Sequence, residues 1–552
     1  MKNHFITFSI IAIAGAITFA MLYQQVFPQA EVRFAVTKED AEKTAEAYLT
    51  RLGYATEGYT QATILEADTL AQIFLQRQWG IARFNKELAA DKTLTPWNYT
   101  VRFFRPLEKE EFMVAVRPDG QVSGFAHLIA ENAEGARLSK EEAERIARAF
   151  AERELGLGLA RYEEKEYHDT KQENRTDHVF SFEQKGSEIT GALPDTGGAT
   201  RLDIALHGDT IASFGTYVYV PESFVRSQET TESHGFLYVA IATVAEVLLM
   251  LVAIFVLFKR YRAYDIRPRY IVGIAIALAG ISIIGALVSY EDLLYAYETT
   301  LSWGSFLTFA GVFFFIALLV ETLVTLIAGF AGESLTREVF PSANDFDPQM
   351  PRTRAYILRS AATGLLAAGG FLGYLALFYF FGSRSFGIWS PVEPETIGYA
   401  TSILPALVPV IFSLSAALSE ELAFRYLGVS LLKKYFRHTL LALFCSAVIW
   451  AFLHSTYAVF PMHVRGIELT VVGMLLGGLF IRHGILAAVS AHFFINLVLF
   501  TAPLLLSDNT YFQLSGVAAA LLGLAVPVGY ALVAGKRGRE TTPPQADAMY
   551  RV

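Results

Sequence analysis

Residues 417–427 read ALSEELAFRYL and place two adjacent carboxylates and a guanidinium inside a run that is otherwise apolar. The chain has 552 residues, of which 53% are hydrophobic and 18% charged, and its mean hydropathy is +0.37. Soluble domains contain about 25% charged residues, so this composition indicates a membrane protein. Charges inside a bilayer are costly, which makes Glu420, Glu421 and Arg425 candidates for a functional site.

Ten mostly apolar runs are near the roughly 20 residues that an α-helix needs to cross a bilayer. They cover residues 4–23, 235–258, 270–289, 303–331, 357–382, 397–424, 439–460, 466–481, 484–506 and 512–534. The eighth run is short and lies close to the ninth, so these two could form one broken element. The predicted number of membrane spans is therefore ten, give or take one.

The basic residues between the runs predict the orientation of the chain. They concentrate in alternate loops and the tail: Lys259, Arg260, Arg262, Arg267, Arg269, Arg337, Arg352, Arg354, Lys433, Lys434, Arg437, Lys536, Arg537 and Arg539. Loops 290–302 and 507–511 have none, and 383–396 has one, Arg384. We expect both termini to be cytoplasmic and residues 28–234 to be extracytoplasmic, in a bacterial cytoplasmic membrane. No clear cleavage site follows Ala20, which favours an uncleaved anchor at residues 1–27.

The predicted external domain contains an internal repeat. VTKEDAEKTA at 36–45 recurs as LSKEEAERIA at 138–147. In each copy a hydroxyl residue precedes an acid by three positions, which is typical of a capped helix N-terminus. Alternating segments follow at 99–104 and 112–116 in the first copy, and at 179–182 and 202–206 in the second. Each copy is therefore predicted to be one helix on a small antiparallel sheet.

This repeat resembles the PepSY-like modules found outside bacterial membranes. The predicted fold class is a polytopic all-α membrane protein with an inserted extracytoplasmic α+β domain of two PepSY-like repeats, about 30–130 and 131–228. The predicted domains are 1–27 (anchor), 28–234 (external), 235–390 (helices 2 to 5), 391–535 (helical core) and 536–552 (cytoplasmic tail). The external domain is either a folded spacer or a module that binds peptide or restrains the membrane part.

Glu421 and Arg425 are four residues apart with the acid first, which favours a pair on one helix face. Glu420 is rotated by about 100° and is not matched to the arginine in this way. A buried ion pair that fixes helix packing is the simplest interpretation of Glu421 and Arg425. It leaves Glu420 unexplained.

Other polar residues of the C-terminal half lie at a similar depth. His454 ends the seventh run, and His492 and Asn496 are four apart on one face of the ninth. Counted at about 1.5 Å per residue from the basic loops, Glu420, His454 and His492 lie about 20, 25 and 15 Å deep in a core of about 30 Å. Three helices therefore bring ionisable groups to overlapping depths. Glu246 and Glu321 have no motif around them, and packing or snorkelling explains them.

The order Glu-Glu-x-x-x-Arg, aromatic-x-x-x-His, His-x-x-x-Asn resembles the three-motif signature of the CPBP family, the CAAX proteases and bacteriocin-processing (Abi) proteins. The resemblance covers about residues 400–505. Many relatives have glycine where this chain has Tyr426, and phenylalanine is commoner than Trp450, which leaves subfamily and substrate open.

The resemblance implies an intramembrane glutamic endopeptidase acting on membrane-associated peptides or proteins. Hydrolysis of a peptide bond needs a base for water and donors for the oxyanion. Glu420 with His454 would hold and deprotonate the water, His492 and Asn496 would bind the oxyanion, and Glu421 and Arg425 would orient the site.

Four alternatives were weighed against this interpretation. Two histidines and a glutamate match some zinc sites, but His-Glu-x-x-His is absent, so we expect no cofactor and keep zinc as the weaker choice. A catalytically silent scaffold or sensor remains the alternative function. A transporter has no support from a repeat in the membrane half. A net charge of −8 without a basic patch argues against nucleic acid as a partner.

The basic-residue asymmetry yields a topology prediction. Alkaline phosphatase, which is active only outside the cytoplasm, should be active when fused after Pro221 and inactive at the C-terminus, and a fluorescent protein that folds only inside the cytoplasm should show the reverse pattern. The measurement is an alkaline phosphatase and fluorescent-protein fusion pair at both positions. The opposite pattern would contradict the predicted orientation.

Overall fold

A computed structural model describes residues 2–535 apart from 32, 91–93, 95, 194–196, 264, 348–351 and 392–396. The predicted tail 536–552, which includes Lys536, Arg537 and Arg539, lies outside the described residues. The α-helices in this part of the chain are α1 (Lys2–Val26), α2 (Lys38–Arg51), α3 (Thr69–Ala90), α4 (Lys140–Glu154), α5 (Glu222–Arg262), α6 (Arg269–Val288), α7 (Tyr290–Tyr295), α8 (Trp303–Val339), α9 (Arg354–Ser385), α10 (Leu407–Glu420), α11 (Ser430–Phe436), α12 (Thr439–Phe452), α13 (His463–His483), α14 (Ile485–Leu506) and α15 (Thr510–Ala534).

Eight strands form one antiparallel sheet in the order β1-β2-β3-β4-β8-β7-β6-β5. They are β1 (Thr60–Ala67), β2 (Trp97–Phe104), β3 (Glu111–Val116), β4 (Val122–Leu128), β5 (Tyr162–Lys171), β6 (Thr176–Gln184), β7 (Ala199–His207) and β8 (Thr210–Tyr219). Each copy of the sequence repeat contributes four strands and one helix that begins with a capping box, and the first copy adds the helix α3, which the sequence did not predict. The inserted domain is thus α+β, within a chain that is otherwise mostly helical.

Both predicted capping boxes are present. The Thr37 hydroxyl accepts from the backbone N–H of Asp40, whose carboxylate accepts from the backbone N–H of Thr37. Ser139 and Glu142 make the same reciprocal pair in α4. The two helices therefore begin in the same way, as the repeat requires.

The structure corrects the prediction of two separate small sheets. Strands β4 and β8 pair at Gly124–Gly215, Phe125–Phe214 and Ala126–Ser213, which joins the two units edge to edge. Joining them removes two exposed sheet edges, which otherwise favour aggregation. The PepSY-like identity of the units stays a prediction.

Nine helices among the described residues are long and apolar enough to cross a bilayer. They account for nine of the ten predicted runs, and the tenth is α12, which has only 14 residues. The open question about the eighth and ninth runs is answered by Gly484, whose φ of +89° ends α13 before α14 begins. These runs form two helices.

Two predicted spans have wrong bounds. The run 397–424 contains a short 3-10 helix at Gly398–Thr401, and its α-helix α10 begins only at Leu407, because a helix can start just after Pro405 but does not continue through a proline. Helical structure then continues to Phe436 through the polar residues. The run 439–460 leaves the helix after Phe452, because Phe460 pairs instead with the backbone of Trp389.

The first helix packs closely against α9 through small residues. A Cβ atom on Gly373 would lie 2.4 Å from Gly15 Cα, and one on Gly369 would lie 2.6 Å from the carbonyl oxygen of Ala12. Small residues at such contacts let two membrane helices approach closely. Helix α1 is therefore part of the helical bundle.

The sheet domain sits on the end of the bundle formed by α7 and the loops beside it. Lys38 Nζ lies 2.7 Å from Glu291 Oε1, and Arg102 donates to the carbonyl oxygens of Tyr295 and Tyr297 at 2.6 and 2.7 Å. Burial lowers the pKa of Lys38, but the hydrogen bond with Glu291 and the negative charges of Glu291 and its glutamate neighbours together raise the pKa above its ordinary value. Ionic and aromatic contacts thus fix the domain to the bundle.

The basic loops meet at the opposite end. Helix α5 leaves the sheet domain at Glu222 and, at about 1.5 Å per residue, runs about 60 Å to Arg262. There Glu338 pairs with Arg260 and with Lys434, the latter at 2.8 Å. The sheet domain and the basic residues therefore occupy opposite ends of the bundle.

The α1–α9 contact predicts an effect of packing on stability. Gly373→Leu should lower the melting temperature in detergent, because overpacking costs about 1–3 kcal/mol. Gly311→Leu is the matched control, since a side chain there meets nothing within 4 Å. If Gly373→Leu melts like the wild type, α1 is absent from the mature bundle, as a cleaved signal peptide would be.

Candidate active site

The segment Glu421–Val429 is a π-helix between α10 and α11, and all nine of its residues are buried. The sequence analysis treated it as ordinary α-helix. In a π-helix the backbone hydrogen bonds reach five residues, and such segments often mark functional sites. Hydroxyl groups of neighbouring helices bind its carbonyls: Ser446 donates to Phe424 O, and Thr336 donates to Tyr426 O at 3.1 Å. These bonds stabilise the widened turn.

The predicted pair of Glu421 and Arg425 is present and buried. Arg425 Nη1 lies 3.0 Å from Glu421 Oε1, and the two side chains are 2% and 0% exposed. Neither Nη1 nor Nη2 of Arg425 makes a hydrogen bond with the described residues. Its Cζ lies 4.0 Å from the ring centroid of Trp450. Charge and the aromatic face therefore hold Arg425.

Glu421 also contacts the third motif. His492 Nδ1 lies 2.8 Å from Glu421 Oε1, the same oxygen that faces Arg425. A carboxylate can only accept, so Nδ1 of His492 donates and its Nε2 is turned away from Glu421. Glu421 thus links the π-helix to α14.

Glu420 ends α10 and points to the other side of this cluster. The indole N–H of Trp450 donates to Glu420 Oε2 at 2.5 Å. The same oxygen lies 4.0 Å from His454 Nε2 and 3.9 Å from His492 Nε2. Its side chain is 25% exposed, whereas that of Glu421 is fully buried. The two adjacent glutamates have different environments.

His454 lies two residues beyond the end of α12, in a tight turn. Its Nδ1 is 2.8 Å from the carbonyl oxygen of Trp450. A carbonyl only accepts, so Nδ1 carries the proton, and the Nε2 lone pair of the neutral ring faces Glu420. The early end of α12 therefore gives His454 both its position and its tautomer.

Asn496 lies one turn after His492 on α14 and is half-buried. Its side chain makes no hydrogen bond with the described residues, Glu420 and both histidines included. The structure thus brings Glu420, His454 and His492 together and places Asn496 one helical turn after His492 without a hydrogen bond to any of the three. The roles predicted for these residues stay predictions.

Trp450 is the site residue that the sequence analysis missed. It contacts Glu420 and Arg425, and its ring lies 5.3 and 5.8 Å from the rings of His454 and His492. Its difference from relatives was taken to bear only on subfamily and substrate, but its N–H reaches the candidate base. The spacing of four residues from His454 was the available signal, because it places both on one helix face.

The other departure from the family pattern lies away from the reactive groups. The Tyr426 hydroxyl donates to Asn344 Oδ1 at 2.5 Å, and the ring packs against Phe346 and Phe480. A glycine could make none of these contacts. Tyr426 therefore ties the π-helix to the end of the bundle where the basic loops meet.

The two remaining intramembrane glutamates differ from each other. Glu321 accepts from the Ser282 hydroxyl at 2.7 Å, which agrees with a packing role. Glu246 on α5 is partly buried and lies close enough to Glu420 for the two charges to repel. Glu246 thus belongs to the surroundings of the site, which snorkelling alone did not predict.

The distances can be compared with those of a zinc site. Ligands about 2.1 Å from a tetrahedral zinc lie roughly 3.4 Å from one another. The observed separations from Glu420 Oε2 are 3.9 and 4.0 Å, and this oxygen also accepts from Trp450. Within the described ranges, no three His, Cys, Asp or Glu side chains are arranged to hold a metal.

Known proteins resemble this part of the chain. Residues 402–498 match the family described as type II CAAX prenyl endopeptidase Rce1-like. The sporulation-killing factor biosynthesis protein SkfC of Bacillus subtilis is 32% identical over 92 residues, which are 17% of this chain and 18% of that protein. No solved structure matches the chain significantly. The predicted resemblance to CAAX proteases is confirmed for this segment, whereas the Abi assignment stays a prediction.

The buried pair predicts how stability responds to mutation. Glu421→Gln leaves Arg425 unpaired in a low-dielectric site, which costs roughly 3–5 kcal/mol, so the melting temperature in detergent should fall. The double change Glu421→Gln, Arg425→Gln should recover part of this loss, because no lone charge remains. Glu420→Gln is the matched control and should change melting little. If Glu421→Gln and Glu420→Gln lowered the melting temperature equally, the assignment of the buried ion pair to Glu421 alone would be wrong.

Proposed function

We propose that this integral membrane protein is an intramembrane endopeptidase, which hydrolyses a peptide bond of a membrane-associated peptide or protein with a water molecule activated by Glu420 and His454. The match of residues 402–498 to CAAX endopeptidases supports the class of reaction. The observation that carries the mechanism is the convergence of Glu420 Oε2 with the Nε2 atoms of two histidines at 3.9 and 4.0 Å.

These distances suit a bridging water. They are too long for direct hydrogen bonds, and one water with bonds of about 2.8 Å spans each of them. The neutral His454 accepts one hydrogen of the water and Glu420 accepts the other. The donor at Trp450 Nε1 fixes the carboxylate in the orientation that faces both histidines.

The reaction then needs no nucleophilic side chain. Glu420 takes a proton as the water oxygen bonds to the carbonyl carbon of the substrate, giving a tetrahedral oxyanion. Collapse of this intermediate breaks the carbon–nitrogen bond, and Glu420 returns the proton to the leaving amine. The products are a carboxylic acid, which keeps the second hydrogen of the water, and an amine; transfer of that proton to the amine gives the carboxylate and ammonium forms.

His492 and Asn496 are proposed to stabilise the oxyanion. With its Nδ1–H directed to Glu421, His492 can donate through Nε2 only as an imidazolium. An imidazolium also balances the charges, since Glu420, Glu421 and Arg425 together carry −1. Charge balance matters in a low-dielectric site, where an uncompensated charge is costly. The amide of Asn496 supplies a neutral second donor.

The proposed mechanism is independent of metal. The spacing around Glu420 is wider than tetrahedral zinc requires, and the adjacent guanidinium of Arg425 disfavours a second cation. In the proposed orientation both termini are cytoplasmic, residues 28–234 are extracytoplasmic, and the bilayer is a bacterial cytoplasmic membrane. No nucleic acid partner is proposed.

The proposal predicts a loss of cleavage when the base is removed. Glu420→Gln keeps the size and the hydrogen bonds of the side chain but not the base, and a general base contributes about 100-fold to 10,000-fold in rate. The measurement compares peptide termini in membrane and secreted fractions of cells expressing wild type or Glu420→Gln.

Glu321→Gln is the matched control, because it removes a membrane carboxylate outside the site, and it should leave the peptide pattern unchanged. Termini that persist unchanged in Glu420→Gln, in protein that melts like the wild type, would contradict the proposed reaction. That result would favour the scaffold alternative.

A further inference from the structure

A second feature of the membrane part lies apart from the candidate active site. An apolar groove with a volume of about 460 Å³ opens between α6, α9, α10, α14 and α15. Its lining includes Gly273 and Ile281 of α6, Leu418 of α10 and Phe494 of α14. The proposed reaction uses none of these side chains. We name this feature the α6 groove.

The length of the α6 groove matches one leaflet of a bilayer. Arg269 begins α6 at one end, and Ile281 lies twelve residues further, which is about 18 Å along the helix. Half of a hydrocarbon core of about 30 Å is about 15 Å. The groove is therefore long enough for one acyl chain and does not cross the membrane.

The mouth of the α6 groove is polar and positively charged. It contains the exposed Arg269 and the phenol groups of Tyr270 and Tyr530. Arg269 has no acidic partner among the described residues. The nearby Asp345 already accepts from Arg352, from the Tyr356 hydroxyl and from a backbone N–H. The guanidinium of Arg269 thus lies at the mouth of the α6 groove without a neighbouring acidic side chain among the described residues.

This arrangement fits a particular class of lipid. The mouth is at the end of the bundle where the basic loops meet, and basic side chains at that level attract anionic headgroups. Tyrosine hydroxyls are typical of the membrane–water interface. We infer that the α6 groove binds one anionic phospholipid, with an acyl chain beside Gly273 and the headgroup phosphate at Arg269.

Glycine at position 273 gives a direct way to close the groove. A Cβ atom added there meets nothing within 4 Å, so the side chain of Gly273→Leu can enter the α6 groove from an unobstructed backbone position. Gly529→Leu is the matched control, because Gly529 is on α15, does not line the groove and is equally open. Both changes replace a helical glycine by leucine, so their effects on helix propensity are alike.

The experiment uses the purified full-length protein in detergent, with native mass spectrometry as the readout. Phosphatidylglycerol and phosphatidylcholine with identical acyl chains are the two probes. One basic side chain near the headgroup corresponds to about a fivefold preference. Wild type and Gly529→Leu should therefore retain one phosphatidylglycerol about fivefold over phosphatidylcholine.

The variants separate the two parts of the lipid. Arg269→Gln should remove the preference but keep the bound chain, Arg269→Lys should restore the preference, and Gly273→Leu should remove retention of both lipids. Melting curves without added lipid check that each variant is folded. Equal retention of the two probes by wild type, or unchanged retention in folded Gly273→Leu, would overturn the inference. A dimer of the wild type that Gly273→Leu abolishes would assign the groove to a second copy and would also overturn it.

Discussion

The carboxylate of Glu421 is fully buried and is shared by a guanidinium from its own helix and an imidazole from another. Loss of the guanidinium would leave the carboxylate without its opposite charge where the dielectric is low, and loss of the imidazole would remove a hydrogen-bond donor to the same oxygen. Glu421 and Arg425 belong to the π-helix, whereas His492 belongs to α14. This constraint therefore fixes the position of the π-helix relative to α14. The geometry of the candidate site depends on it.

A second consequence concerns the backbone. A π-helix and an interrupted α12 both leave backbone groups at membrane depth that regular α-helices would satisfy. In this protein the hydroxyls of Thr336 and Ser446 bind carbonyls of the π-helix, and the ring of His454 binds the carbonyl of Trp450. Irregular backbone is therefore tolerated because neighbouring side chains complete its hydrogen bonds. The same side chains position the polar groups of the site.

Much of this architecture could be predicted from the sequence. Apolar runs predicted the helices because crossing a bilayer imposes a minimum length, and capping boxes marked α2 and α4 because their hydrogen bonds are local. Depth counted from the basic loops was enough to bring Glu420, His454 and His492 together. The roles of these residues could be predicted only as hypotheses. The depth of a residue in the membrane, counted along the sequence, does not show in which direction its side chain points.

Three features could not be predicted, and each depends on contacts between distant residues. The π-helix needs hydroxyls from α8 and α12, the end of α12 needs the pairing of Phe460 with Trp389, and the joined sheet needs the contact of β4 with β8. Trp450 was missed for a related reason. Its spacing from His454 was visible, but the reach of its N–H to Glu420 depends on how α10 packs against α12.

The docking of the sheet domain limits how the protein can respond to its surroundings. Arg102 binds Glu111 within the sheet and two carbonyls at the end of α7, those of Tyr295 and Tyr297. Phe34 packs against Tyr399 and Phe512 of the helical part. Each end of the sheet domain also continues directly into a membrane helix, α1 or α5. A domain held by buried contacts and two helical connections cannot tilt without straining the bundle. A tilt of the sheet domain would therefore also move α5, which carries Glu246 within range of a charge interaction with Glu420.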